Sequence, residues 1–326
     1  MSHLPKALNR RQVLAALAGA AAAATAAVPS ARADAGPGQV REVDFDWVDA
    51  ARSRPVPARL YRPARSGAAV PLVVFSHGIG GSRLGYRYLG HHWATQGIAA
   101  LHLQHVGSDR SLWTRNPLDL MQRMRQAAQD REAIDRVHDL RFALDRLLSA
   151  EEGADVDQGR IVAAGHSYGA NTVLLASGAR VEREGRPMDL REPRLAAAIV
   201  LSAPPFYGEG PMQPILSPVT LPTLHITATE DVIRIPGYYS GVDDRLAVFD
   251  AVGGRRKALA VFEGGSHSVF TDWSGTGGVL RNPQVKAATQ ALTLAFLRDA
   301  LDGDGSLLRE WPRLHGPLLS RFVASA

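Results

Sequence analysis

Ile161-Val162-Ala163-Ala164-Gly165-His166-Ser167-Tyr168-Gly169 is the stretch that decides how this chain is built. Its first four residues are a continuous apolar run, the pattern of a strand buried on both faces of a parallel sheet. The last five fit Gly-x-Ser-x-Gly, and residues 171–177 beyond them read as the opening of a helix. A strand that turns straight into a helix at a serine holds that residue in a strained backbone conformation. Side chains two positions before and after would collide with neighbouring backbone, so both positions call for glycine. The serine then stands at a helix N-terminus, where peptide dipoles favour developing negative charge. Ser167 is the candidate nucleophile.

Strands and helices alternate on both sides of this turn. Val43, Phe45 and Trp47 alternate with Asp44 and Asp46, as in a half-buried strand, and Leu60-Tyr61 marks a second short strand. Residues 72–75, 98–103, 197–201, 223–228 and 259–262 are apolar runs of the buried-strand kind. Helices are predicted over 84–95, 131–148, 243–252 and 283–301, the last with a proline at its start. The order points to an α/β fold with a mostly parallel, doubly wound sheet of about eight strands flanked by helices. No repeat or linker divides residues 34–326, which are expected to form a single domain. Residues 104–130 are polar, rich in Arg and Gln and broken by Pro117, and read as a cap-like insertion. Leu112, Trp113, Leu118, Leu120, Met121 and Met124 would make it either an apolar lid or a segment packed onto the body. From Gly303 onward no periodicity assigns an element.

A serine hydroxyl needs a base to take its proton and an acid to orient that base. In α/β-hydrolases, whose serine sits on such a strand–helix turn, the chain order is serine, acid, histidine, on turns after later strands. Asp231 follows the strand at 223–228, and His267 ends Glu263-Gly264-Gly265-Ser266-His267 after the strand at 259–262. These two are the expected acid and base, with Glu230 the alternative acid. Asp243 and Asp244 are read as helix-starting residues. Ser76-His77-Gly78-Ile79-Gly80-Gly81 follows a buried strand and suits an oxyanion-binding turn. The expected donors are the backbone N–H groups of Ile79 and Tyr168, with Gly80 as the alternative to Ile79. His77 is read as a structural hydrogen-bonder for this turn. A phosphate-binding role would need a Gly-x-Gly-x-x-Gly or a following Lys-Ser/Thr, and neither is present. His91, His92, His102, His105, His138 and His225 read as core or surface histidines. His102 and His105 have no clear third ligand, so no metal is expected, and the reaction calls for no cofactor.

Residues 1–33 read as a twin-arginine signal peptide. Asn9-Arg10-Arg11-Gln12-Val13-Leu14 precedes an alanine-dominated apolar run at 13–28, and Ala31-Arg32-Ala33 suits a cleavage site. The run is too short to span a bilayer. A periplasmic or secreted protein without an integral membrane segment follows. Four of the 37 bases lie in this leader with no acid among them, so the rest of the chain is close to neutral against 32 acids. That balance calls for no nucleic-acid partner. The chain is 45% hydrophobic and 21% charged, which excludes disordered and fibrous classes. With no cysteine, disulfides and thiolate chemistry are excluded as well.

Phe75-Ser76-His77-Gly78, Gly165-His166-Ser167-Tyr168-Gly169 and Gly264-Gly265-Ser266-His267-Ser268 together resemble a branch of the α/β-hydrolases. That branch holds the dienelactone-hydrolase-like and plasma-type platelet-activating-factor-acetylhydrolase-like enzymes. Residues 101–109 are similar to the segment after the fourth strand in the acetylhydrolases. The run from Pro222 to Asp231 also looks like cutinase-type polyester hydrolases. The resemblance covers most of residues 45–300 and implies a cofactor-independent serine hydrolase of carboxylic esters, with a small-molecule or lipid-like ester as substrate. Dienelactone hydrolases use cysteine, which this chain lacks. The acetylhydrolases place their acid after an earlier strand, where this chain has Ser202-Ala203-Pro204-Pro205 and no carboxylate. Polyester hydrolases commonly carry a disulfide and no long insertion. A polyester hydrolase, an amidase or peptidase on the same triad, and a non-catalytic binding protein are the alternative functions.

Overall fold

The computed structural model describes residues 39–64, 69–183, 185–235, 237–273 and 281–325. The leader expected over 1–33 lies outside them. The chain opens with β1 (Val40–Asp49), β2 (Arg54–Pro63) and β3 (Val70–Ser76), then α1 (Arg87–Thr95) and β4 (Ala99–Leu103). Two helices follow, α2 (Pro117–Ala127) and α3 (Asp130–Leu148), before β5 (Val156–His166) and α4 (Tyr168–Ala176). A small hairpin, β6 (Arg180–Arg183) and β7 (Arg186–Asp189), leads to β8 (Leu195–Leu201), α5 (Met212–Leu216) and β9 (Thr223–Glu230). A second hairpin, β10 (Ile233–Ile235) and β11 (Tyr238–Ser240), precedes α6 (Val242–Ala251) and β12 (Lys257–Ser266). The chain closes with α7 (Arg281–Asp302), α8 (Ser306–His315) and β13 (Leu319–Ala324).

Nine strands form the central sheet in the order β1-β2-β4-β3-β5-β8-β9-β12-β13. The run from β4 to β12 is parallel, while β1, β2 and β13 pair antiparallel at the edges. Alternation along β5 shows why the middle strands are apolar throughout. Ile161 and Ala163 pack into one core with Leu140, Leu144 and Val173 of α3 and α4. Val162 and Ala164 pack into the opposite core with Leu89, Trp93, Leu292 and Phe296 of α1 and α7. With both faces covered, every residue of β5 from Ile161 to His166 leaves water.

The tail, to which no periodicity assigns an element, forms α8 and β13. Leu308 and Trp311, three residues apart on α8, are buried in the second core, and β13 pairs with β12. Pro312 inside α8 and the shortness of both elements mask the pattern in the sequence. No helix among the described residues is long and apolar enough to cross a membrane.

Candidate active site

The parallel strands deliver four segments to one edge of the sheet. The turn after β3 begins at His77, Ser167 follows β5, Asp231 follows β9 and His267 follows β12. This is the carboxyl edge, where open parallel sheets gather their sites.

Ser167 lies between β5 and α4 with φ 55° and ψ −122°, a region costly for a residue with a side chain. The flanking glycines are required by contact. A Cβ on Gly165 would collide with the main chain of Gly169, and one on Gly169 with the main chain of Ser76. The Ser167 Oγ lies 2.8 Å from Nε2 of His267, whose Nδ1 lies 2.6 Å from Oδ1 of Asp231. A carboxylate can only accept, so Nδ1 carries the proton and Nε2 presents its lone pair to the serine hydroxyl. Asp231 is fully buried. Its other oxygen accepts from Thr227 Oγ1 at 2.7 Å, and Arg245 approaches at 3.4 Å. Burial alone would raise its pKa, but the hydrogen bond from His267 and the charge of Arg245 hold it far below the usual carboxylate range. Glu230 is exposed, and Asp244 accepts from the Gly241 N–H at the start of α6. Arg245, buried on α6, carried no motif by which sequence reading could find it.

The turn after β3 is fixed by its histidine. His77 is buried and held neutral, and its Nδ1–H donates to the carbonyl of Gly78 at 2.6 Å. The Gly81 N–H donates to the same oxygen at 3.1 Å. Across a trans peptide the N–H points opposite to the C=O, so the Ile79 N–H is turned away from these partners. Gly80 is occupied on both sides. Its N–H donates to the carbonyl of Ser108 at 2.8 Å, and its carbonyl accepts from Trp113 Nε1 at 2.9 Å. Its φ of 74° and the Trp113 ring against its Cα both demand glycine. Neither the Ile79 N–H nor the Tyr168 N–H has an acceptor among the described residues, and both residues line the cavity beside Ser167.

Behind this turn sits a buried ionic cluster that sequence reading missed. Arg136 of α3 donates to the carbonyl of His77, to Ser108 Oγ at 2.8 Å and to Thr172 Oγ1 at 2.9 Å, with its guanidinium 4.5 Å from the centre of the Tyr168 ring. Glu132 and Asp139 take Arg54 between them. The signal was present as Glu132, Arg136 and Asp139, which share one helical face, but the apolar stripe of the same helix obscured it.

A cavity of about 790 Å3 opens beside Ser167 and His267. Its walls include Ile134, Leu175, Leu190, Phe206 and Ile233. Met124 and Ala128, from the segment read as a cap-like insertion, line part of it, whereas Leu112 is buried and Leu118 points to solvent. Of the charged residues along its walls, Asp130, Arg183 and Glu209 pair among themselves at 2.7 and 2.6 Å, and Arg131 and Arg234 line it as well.

A parallel core with edge strands, helices on both faces and a strand–serine–helix turn at its carboxyl edge is the α/β-hydrolase fold. A sequence family described as platelet-activating factor acetylhydrolase, isoform II, matches residues 49–116. That segment holds β2 to β4 and the His77 turn, and precedes Ser167. A ferulic acid esterase from Streptomyces cinnamoneus, solved at 2.4 Å, has the same fold at 22% sequence identity. The TM-score is 0.63, over 88% of this chain and 98% of that one. Among curated proteins none matches the chain.

Proposed function

We propose that this chain is an exported serine hydrolase that cleaves carboxylic esters through Ser167, His267 and Asp231. The observation that carries the reading is the unbroken Ser167–His267–Asp231 line of hydrogen bonds opening on a cavity, with two uncommitted N–H groups beside the serine. Ser167 Oγ attacks the ester carbonyl while His267 Nε2 takes its proton. Asp231 holds the imidazole in the required tautomer and balances its positive charge. The Ile79 and Tyr168 N–H groups stabilise the oxyanion. The tetrahedral intermediate collapses as His267 returns the proton to the leaving alcohol, and an acyl-enzyme remains. Water, activated by the same histidine, then releases the acid.

A cavity of this volume suits an organic group of drug-like size, and its mainly apolar walls favour an apolar acyl or alcohol part. The cover supplied by Met124 and Ala128 supports a small or lipid-like ester over a polymer chain. The matching family and the structural neighbour carry names of the same kind, an acetylhydrolase and a ferulic acid esterase. The twin-arginine pattern at Arg10-Arg11 supports action in the periplasm or outside the cell. The test is turnover of p-nitrophenyl esters of increasing acyl length, with Ser167→Ala and the matching anilides as controls. Ester turnover should fall by about 10⁴-fold or more in Ser167→Ala, and anilide turnover should be slight. Equal rates in enzyme and variant would overturn the reading.

A further inference from the structure

Two residues beside the triad, one bound to it directly and one through the other, have no part in the reaction steps above. His166 immediately precedes the nucleophile and is fully buried. Its Nε2 lies 2.9 Å from the backbone carbonyl of His267, and its Nδ1 lies 2.8 Å from the Tyr86 hydroxyl. The directions of these bonds follow from chemistry. A carbonyl can only accept, so Nε2 carries the proton. Burial keeps the ring neutral, with a pKa down at about 3, so Nδ1 is a bare acceptor and Tyr86 must donate to it. The Tyr86 oxygen in turn receives the Gly78 N–H at 3.4 Å. The result is one ordered chain: Gly78 N–H, Tyr86 O–H, His166, His267 C=O. It joins the turn that carries Ile79 to the segment that carries the base.

Two further observations indicate that this chain has a task. Tyr86 adopts φ 57° and ψ 29° at the start of α1, a left-handed conformation that strains a bulky residue. A glycine stands one position earlier, at Gly85, yet the left-handed backbone falls on the tyrosine. The segment that carries His267 also needs an anchor. Pairing of β12 with β9 shifts register between Phe262 and Ser266, where Gly264 and Gly265 both have positive φ. The His166 and His267 rings lie 4.7 Å apart at 36°, so the anchor sits directly against the base.

We propose that Tyr86 and His166 are positioning residues that hold the His267 main chain to the oxyanion turn and so set the base against Ser167. The proposal rests on the hydrolase reading above. Loss of the clamp leaves the cavity intact and loosens the Ser167–His267 contact, so it lowers kcat and spares KM. Small misplacements of a reacting group are costly, and Tyr86→Phe is expected to lower kcat about 10-fold, and His166→Phe about 100-fold, with KM within about twofold. His166→Gln, whose amide can both donate and accept, should recover most of the loss. Tyr86→Phe removes one oxygen and keeps the ring against Phe75, so it remains informative if His166→Phe does not fold. In the wild-type enzyme, nitrogen-15 NMR of labelled histidine should show one ring in the Nε2–H form, assigned to His166 by its absence from His166→Gln, that does not titrate above pH 5. Unchanged kcat in Tyr86→Phe, a loss carried by KM, or an Nδ1–H ring at His166 would overturn the clamp. If the wild type turns over no ester, the hydrolase reading fails, and the NMR measurement still decides the hydrogen-bond chain.

Discussion

Ser167, His267 and Asp231 share their bonding pattern with a second set of the same residue types. Ser76 Oγ lies 3.1 Å from His105 Nε2, and His105 Nδ1 lies 3.0 Å from Asp139. The surroundings separate the two. Ser76 sits inside β3 with all three members of its set fully buried, while Ser167 and His267 line a cavity. Asp139 is also bound by Arg52 at 2.8 Å and Arg54 at 2.9 Å. Burial and the nearby charge of Arg136 push His105 down to about 3, so it cannot serve as a base near neutral pH. The inner set has a structural task, since it holds His105, whose backbone N–H donates to Nε2 of His77 at 3.1 Å and so fixes the histidine that orients the Ile79 peptide. A Ser-His-Asp line is therefore not a site by itself. It needs access, a serine on a strained turn, oxyanion donors and a base that can take a proton.

Paired substitutions break this comparison most strongly. Asp231→Asn should lower the kcat of the folded protein by about 10³- to 10⁴-fold, because the imidazole loses its tautomer. Asp139→Asn should instead act on stability. It strips the charge from the buried carboxylate that Arg52 and Arg54 share and should cost about 3 kcal/mol of stability, while the folded fraction keeps most of its activity. Chemical denaturation alongside steady-state rates checks both. Equal kinetic losses in the two variants would erase the distinction.

Acid sharpens it. Burial holds His102 near 4 and His105, His166 and His225 near 3, whereas in an unfolded chain each returns to about 6.5. Between those values the unfolded state binds more protons, so stability falls as pH drops from about 6.5 towards 4. Each such histidine contributes a slope approaching 1.4 kcal/mol per pH unit, by linkage at roughly constant temperature. Asp139, held at about 2 when folded, adds its own loss only below its ordinary 3.8. Melting temperature should be steady near pH 7 and fall steeply below about pH 6. A flat profile down to pH 4 would contradict the buried neutral histidines.

What was legible in the sequence follows the same contrast. The outer set announces itself because its signals are local: a glycine-flanked serine after an apolar strand, and an acid and a histidine just past later strands. Ser76, His105 and Asp139 lie 29 and 34 residues apart and meet through sheet order and the packing of α3, which no short pattern records. Double burial made the central strands readable as apolar runs. The two hairpins and β13 are short and partly exposed, and tertiary pairing defines them more than composition does. Tyr86 was silent because its role depends on a backbone angle and one hydroxyl.

The most direct test of the account is to label the purified protein with a fluorophosphonate and map the modified peptide by mass spectrometry. Ser167 should carry the phosphonyl group at close to one per chain, with Ser76 unmodified and ester turnover lost in proportion. Labelling at Ser76, or full turnover after Ser167 is modified, would contradict it.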